Sequence, residues 1–414
     1  MKNIWLVNYY SYPPGTSSWR RHYDLGKELL KYGYNIDIIG GSFVHDRKKH
    51  ILNKNEKYRI ENHEGLKYHI LNGISYSGSL MRILSMIEFM IKVFFYEKKL
   101  KVKPDIIYCS CPHPFNGLIS LYLSKKYKCK FILEIRDLWP ETWVEMGAIT
   151  RKSLIYKFFA WIEKLLYKKA DKIITLMPGA FMYIEKLGIP KEKVEWVSNG
   201  VDLEEFDKNY SKEPVYKFDK SKFNITYTGS IGIANALEEL FEIAKDLREE
   251  NIMFNIIGDG PLKDKYVNYC RENNINNVKF YNPISKDKIP AILRESEVLM
   301  TFTKNSNLYK YGISPNKLFE YLASFKPIIF SGNVYNDVVK ISNCGISVEA
   351  ENKEKLKEAF SKICNFSQNK REELGQNGRG YLEKNFTNKV LTNKLLKILN
   401  EDNLWNLHMK HMKI

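Results

Sequence analysis

The sequence predicts an α/β protein built from two doubly wound domains, and three observations carry that prediction. Short β-branched runs alternate with longer amphipathic stretches through most of the 414 residues. The alternation stops once, in a polar stretch rich in Lys and Asp that ends near Lys222, and then restarts. The runs are continuously apolar, as strands covered on both faces are. Alternation of strand and helix then implies right-handed crossovers and parallel sheets.

In the first half the spacing predicts strands at Asn3–Asn8, Asn35–Ile39, Asp105–Cys109, Lys130–Ile135, Lys172–Leu176 and Val194–Val197. A helix is expected over Ser17–Tyr32, stopping at Gly33 as at a C-cap. After Ser198-Asn199-Gly200-Val201-Asp202 the periodicity lapses. In the second half strands are expected at Asn224–Thr228, Phe254–Ile257, Val278–Tyr281, Val298–Phe302, Pro327–Phe330 and Ile346–Glu349. From about Arg371 the pattern is helical. The expected division is a first domain over 1–200, a linker over 201–222, a second domain over 223–378 and a helical segment over 379–414. No short fixed period recurs, which excludes a solenoid.

Composition narrows the function classes. Apolar residues make up 44% and aromatics 14%, enough for large cores and unlike a disordered chain. Six cysteines form no disulfide framework, and a reducing, cytoplasmic setting is expected. The apolar run Ile4–Val7 is too short for the core of a secretion signal. No stretch reaches the roughly 20 apolar residues of a spanning helix, so a soluble or peripheral protein is expected. Lys and Arg number 65 against 48 Asp and Glu, a net charge of +17. Nucleic acid, an anionic membrane face, phosphorylated substrates or plain solvation would each account for it.

Ligands of open α/β sheets sit beyond the carboxyl ends of strands, so with two such sheets the cleft between them is the expected site. Four loops there could hold an anion. Tyr12-Pro13-Pro14-Gly15-Thr16-Ser17-Ser18 joins the first strand to its helix; Thr228-Gly229-Ser230-Ile231-Gly232 stands at the matching place in the second half. Gly258-Asp259-Gly260-Pro261 is a tight turn after a strand. Glycine admits a ligand to the backbone, and helix N-termini favour anions; each loop taken alone also reads as an ordinary capped turn. None ends as a P-loop does. The fourth loop, Tyr311-Gly312-Ile313-Ser314-Pro315-Asn316-Lys317-Leu318-Phe319-Glu320-Tyr321, opens a short helix near Pro315. Lys317 and Glu320 share a face of it. There the lysine can meet phosphate and the carboxylate can accept two adjacent hydroxyls; an ordinary surface ion pair is the other reading.

The order of the Gly15 loop, Asn199-Gly200-Val201-Asp202, the Gly229 loop, Gly258-Asp259-Gly260 and Pro315-x-Lys317-x-x-Glu320-Tyr321 resembles the retaining nucleotide-sugar glycosyltransferases of family four. The resemblance implies the GT-B fold: two facing Rossmann-like domains, acceptor first and donor second, with a C-terminal helix crossing back to the first. Arg136-Asp137-Leu138-Trp139-Pro140-Glu141 and Ser314-Pro315-Asn316-Lys317 are similar to the branch that builds bacterial surface polysaccharides, often from N-acetylamino sugars. By position, Glu320 resembles the second glutamate of the family's Glu-x7-Glu signature, which holds the donor ribose. Lys317 and the amides of Ser314 to Lys317 would face the diphosphate and sugar. Gly229 and Ser230 would line the phosphates, with Gly258 and Asp259 beside them and Ile284 bordering the base. The sequence departs from the family twice. Gly312 stands where the first glutamate belongs, and Ser230 and Asn235 lie where an Arg and Lys pair is usual.

Cleaving a sugar–phosphate bond requires stabilising the departing diphosphate, by a metal or by fixed positive groups. No Asp-x-Asp occurs, so no metal is expected, and Lys317 with loop amides would carry the charge. No resident cofactor is implied; a UDP-sugar would be the co-substrate. Asp137, at the carboxyl end of a strand, is the candidate base or positioning group, with a helix N-cap as the alternative. Cys109-Ser110-Cys111-Pro112-His113 lacks the further ligands of a zinc site and reads as buried thiols; His113 facing the cleft stays open. His22 reads as a packing residue.

Two segments bear on the acceptor. In Leu80–Phe95, Leu80, Ile83, Leu84, Ile87, Ile91 and Phe94 form one stripe at helical spacing, followed by Lys98, Lys99, Lys101 and Lys103. Arg151–Lys169 mixes Leu154, Ile155, Phe158 and Ile162 with six cations. Basic amphipathic helices lie at bilayer interfaces, although both could simply cover the sheet. The expected partners are a UDP-sugar, a polyprenyl-diphosphate-linked or saccharide acceptor and the cytosolic face of an anionic membrane. Nucleic acid is not expected, since no recognition signature accompanies the charge. A sugar-nucleotide epimerase of the same fold is the nearest enzymatic alternative.

Overall fold

A computed structural model describes residues 1–17, 19–111 and 113–411, without the side chains of residues 79 and 402–411. Ser18 and Pro112, from loops singled out above, lie outside the described residues. The chain divides into two compact units, one formed by Met1–Ser198 with the chain from Leu391 onward, the other by Asn199–Val390.

Among the described residues the first unit carries ten strands: β1 (Lys2–Val7), β2 (Tyr34–Gly41), β3 (Phe43–Val44), β4 (Lys49–His50), β5 (Tyr58–His63), β6 (Leu66–Leu71), β7 (Ile106–Cys111), β8 (Lys130–Ile135), β9 (Lys172–Thr175) and β10 (Val194–Trp196). Eight form one sheet in the order β10-β9-β8-β7-β1-β2-β6-β5. Its pairs are parallel except the β5–β6 hairpin, which the sequence reading missed. Tyr58–His63 has no fully buried position, as befits an edge strand, so no apolar run marks it. The order reverses between β1 and β7. Helices α1 (Arg21–Leu30), α2 (Ser79–Tyr96), α3 (Pro114–Tyr127), α4 (Glu141–Glu145), α5 (Leu154–Lys169) and α6 (Ala180–Lys186) connect the strands. The first helix starts at Arg21, not Ser17, because the preceding residues form the loop after β1.

The second unit holds α7 (Leu203–Tyr210), β11 (Phe223–Thr228), α8 (Glu238–Asp246), β12 (Ile252–Ile257), α9 (Lys263–Glu272), β13 (Val278–Tyr281), α10 (Ile289–Arg294), β14 (Val298–Phe302), α11 (Asn316–Ala323), β15 (Ile328–Ser331), α12 (Val338–Ser342), β16 (Gly345–Val348), α13 (Lys353–Cys364) and α14 (Gln368–Asn385). Its parallel sheet runs β13-β12-β11-β14-β15-β16 and reverses between β11 and β14.

Two expected boundaries move. The stretch 201–222 is not a bare linker: it contains α7, N-capped by Asp202, whose side chain accepts from the Glu205 amide. Arg379 of α14 grips Asp207 of α7 at 2.6 and 2.7 Å and donates to the Ala323 carbonyl, so α7, α11 and α14 form one block. The chain joins the first unit only from Leu391, so 379–390 stays with the second. In α15 (Asn388–His411), Leu391, Leu395, Ile398 and Leu399 follow helical spacing and pack with Ile4, Leu6, Tyr34 and Ile36.

Candidate active site

At the carboxyl end of β11 the chain turns through Gly229, which has φ +134°. The loop after β12 rides on it: the Gly229 amide donates to Ile257 O (2.9 Å) and the Ile231 amide to Asp259 O (2.8 Å). A Cβ at Gly258 would lie 1.9 Å from Gly229 O, so the loop after β12 comes this close only with glycine at 258. Ser230 and Asp259 are exposed at the rim. The Asp259 carboxylate accepts from the Gly260 amide, and the Ser230 carbonyl accepts from Tyr227 Oη.

α11 is locked to the same strand end. The buried Tyr321 hydroxyl accepts from the Thr228 amide at 2.7 Å, which fixes the helix register and carries Lys317 to Gly229. Lys317 Nζ donates to Tyr227 Oη (2.6 Å) and Asn235 Oδ1 (3.0 Å) and lies 4.1 Å from the Tyr227 ring centroid. Among the described residues it has no carboxylate at ion-pair distance. Burial therefore pulls its pKa down to about 7, with only the Coulomb field of Glu320 opposing. Glu320, 13% exposed, lies 3.8 Å from Lys286 Nζ. Burial raises its pKa against the pull of Lys286 and Lys317. An uncompensated cation and a dehydrated carboxylate on one helix face beside glycine loops form a receptor for a group bearing both negative charge and hydroxyls.

The loop entering α11 is braced from two sides. Asn199 donates from its amide to Ser314 Oγ (2.9 Å) and from its side chain to Ser314 O (2.8 Å). Asn336 pairs with both backbone groups of Ile313. The Ser314 hydroxyl oxygen is thus engaged structurally. Asn316, the first helical residue, is exposed. Gly312 has φ +103°, a backbone that side chains rarely adopt, which accounts physically for the missing first glutamate. Ile284, after β13, packs partly buried with Phe218, Ile257 and Ile292. So the structure gathers Gly229, Ser230, Gly258, Asp259, Lys317 and Glu320 along adjacent strand ends of the second unit. Tyr227, Asn235 and Lys286 complete the group. Of these only Asn235 was visible beforehand, because no local motif marks a tyrosine inside a strand.

The remaining predicted residues lie in the first unit, also at strand ends. Gly15 is exposed in the loop after β1 at φ +79°, and its carbonyl accepts from Arg47. Asp137 follows β8, accessible to solvent yet hemmed in by protein. Dehydration raises its pKa, opposed by Arg136 and then Arg82. Beneath it lies a buried network missed in the sequence. Glu134 receives Arg21 Nε (2.8 Å), His22 Nε2 (3.1 Å) and Tyr108 Oη (2.7 Å). Arg21 also donates to the carbonyls of Val197 and Ser198, closing the end of the unit. His22 is therefore part of a polar core. His113 is buried with neither ring nitrogen paired, and Cys111 Sγ donates to its carbonyl.

α2 packs on the unit with one face and exposes apolar side chains on the other. Ser85, Met86, Phe89, Val93 and Tyr96 face inward, whereas Leu80, Met81, Leu84, Ile91, Phe94 and Phe95 are exposed. Its polar strip is bonded inward: Glu88 accepts from the Ile74 amide, Lys92 donates to Asn72 and Arg82 to Tyr10. α3 packs beside α2, with Phe94 against Tyr122, and α5 beside α3, with Phe159 against Phe115. On α5, Leu154 is 82% and Trp161 61% exposed, with Ile155 and Phe158 between them. Among the described residues no helix is long and apolar enough to cross a membrane.

Comparison with known proteins decides the class. The model of Glycosyltransferase Family 4 matches residues 19–205, and that of Glycosyl transferases group 1 matches 210–381. The chain is a family-four glycosyltransferase. The glycosyltransferase has the GT-B fold: it superimposes on Anabaena HepE in complex with UDP and glucose, with TM-score 0.66 and 12% identity, over 97% of this chain and all of that one. It is 22% identical to the putative colanic acid biosynthesis glycosyl transferase WcaI of Escherichia coli, over 67% of this chain and 71% of the relative. It is 27% identical to the Escherichia coli UDP-Gal:alpha-D-GlcNAc-diphosphoundecaprenol alpha-1,3-galactosyltransferase, over 36% and 41%.

Proposed function

We propose that this glycosyltransferase moves a sugar, an N-acetylamino hexose, from a UDP-sugar to a lipid-linked or saccharide acceptor during surface polysaccharide assembly. Transfer retains the anomeric configuration and needs no metal. The observation that carries the donor reading is Lys317 lying against Gly229 with Glu320 one turn further on. The lysine and loop amides suit the diphosphate, and the carboxylate suits the ribose diol. The complex of HepE with UDP and the names of the two Escherichia coli relatives support the donor, pathway and acceptor classes.

In the step we propose, the bond from the anomeric carbon to the β-phosphate oxygen breaks as the acceptor oxygen bonds to that carbon on the same face. The acceptor's proton passes to a phosphate oxygen of the departing UDP, whose charge Lys317 stabilises. Asp137, in the first unit, positions the acceptor hydroxyl or, in place of the phosphate oxygen, takes its proton. The outward apolar side chains of α2 and α5, followed by Lys98, Lys99, Lys101 and Lys103 and joined by Lys157 and Lys164, suit the cytoplasmic face of an anionic membrane.

The test supplies a panel of UDP-sugars with a polyprenyl-diphosphate saccharide and reads UDP release and product configuration by NMR. Acceptor-dependent UDP release with retained configuration supports the reading. Conversion of the donor without acceptor would instead indicate an epimerase.

A further inference from the structure

α2 brings two kinds of chemistry together within one turn. Leu80, Met81 and Leu84 are exposed, between 41 and 73%. Arg82, between them in sequence, points the other way: its Nε donates to Tyr10 Oη at 3.1 Å and its guanidinium lies 5.7 Å from the Tyr10 ring centroid. That bond uses one of five N–H groups. Among the described residues no carboxylate is at ion-pair distance from Arg82, nor from Arg136, which follows β8. Glu134, the acidic group inside the sheet whose field reaches Arg136, is held by Arg21 and His22.

The neighbours of Arg82 are shaped by its charge. Tyr10 packs on His113 and His45, with ring centroids 6.1 and 5.7 Å apart. Burial and then Arg82 push the pKa of His113 to about 3 and that of His45 to about 4, so both imidazoles are neutral donors or acceptors. His113 is 2% exposed and neither of its ring nitrogens has a partner. The fields of Arg82 and Arg136 both reach Asp137, so the cations around this cluster outnumber the carboxylate. It is a partly open polar cluster with a free guanidinium fork and unsatisfied donors, at the root of an outward apolar stripe.

We propose that Arg82 is the residue that binds the phosphate headgroup of a membrane-held acceptor, while the apolar turn Leu80–Leu84 contacts the lipid that carries the headgroup. A bidentate guanidinium–phosphate pair is the geometry a free fork favours. The ligand is an amphiphile with an anionic phosphate head. This rests on the reading of the first unit as the acceptor's, and it names the atoms that read the head.

The test measures binding of the full-length protein, with UDP saturating the donor site, to phosphatidylcholine vesicles carrying a few per cent of a polyprenyl diphosphate. Parallel vesicles carry phosphatidylglycerol instead. The wild type is expected to prefer the polyprenyl diphosphate, and Arg82→Gln to lose about tenfold or more of that affinity, with Arg82→Lys intermediate. Binding to phosphatidylglycerol and to UDP should not change, which shows that the variant is folded. Excess inorganic pyrophosphate should displace the wild type from the polyprenyl vesicles. Equal binding by Arg82→Gln, absence of a wild-type preference or failure of pyrophosphate to compete overturns the proposal. Turnover separates the two readings: a wild type that glycosylates soluble saccharides alone contradicts the lipid acceptor. A lipid-linked acceptor whose KM is the same in Arg82→Gln contradicts only the role of Arg82.

Discussion

Lys317 lies directly against Gly229: a Cβ at position 229 would stand 3.0 Å from both Cε and Nζ of the lysine. The contact joins the helix that carries the charge to the loop that exposes its backbone, and each prediction for the donor site follows from it.

Gly229→Ala should displace the ammonium group and strain a backbone at φ +134°. We expect affinity for UDP to fall tenfold or more, read by calorimetry, while the melting temperature changes by only a few degrees. Unchanged UDP affinity would separate the loop from the ligand.

The pKa of Lys317 near 7 sets a pH dependence. Below 7 the free protein carries the charged amine; above it the amine is neutral, and a diphosphate must draw in a proton to bind. Affinity for a UDP-sugar should therefore be greatest below pH 7 and fall as pH rises, by up to about tenfold per unit. Calorimetry in buffers of different ionisation enthalpy should show proton uptake at pH 8. Lys317→Met should bind weakly at every pH, with no uptake.

Glu320→Gln should remove the preference for ribose. The wild type is expected to bind UDP about tenfold more tightly than 2′-deoxy-UDP, and the variant to bind both alike. A carboxylate that serves only Lys286 would leave the preference intact.

Tyr321→Phe removes the hydroxyl that accepts from the buried Thr228 amide. Leaving that donor unpaired should cost about 1–3 kcal/mol in urea unfolding. It should also weaken UDP binding, because α11 loses its register against β11.

Much of the fold was legible because most strands of the two sheets are local apolar runs, and the Pro315–Tyr321 segment is a local motif. What escaped depends on distant partners. α7 has few apolar residues, and its place is set by Arg379, far along the chain. Glu134 is a charge inside a strand whose partners come from α1. For α2 the periodicity gave the stripe but not its direction, since spacing defines a face without saying what it faces. Phe89 and Val93, which lie outside that stripe, proved to be the buried side.

The direction of α2 makes its own prediction. Leu84→Glu with Phe95→Glu alters exposed side chains, so stability should stay within about 0.5 kcal/mol. Sedimentation with anionic vesicles at low salt should be lost.

The most direct measurement is a crystal structure with UDP bound. A β-phosphate oxygen is expected within about 3 Å of Lys317 Nζ, with the diphosphate against the Gly229 loop and the ribose hydroxyls on the Glu320 carboxylate. A nucleotide bound elsewhere, with Lys317 still held by Tyr227 and Asn235, would contradict it.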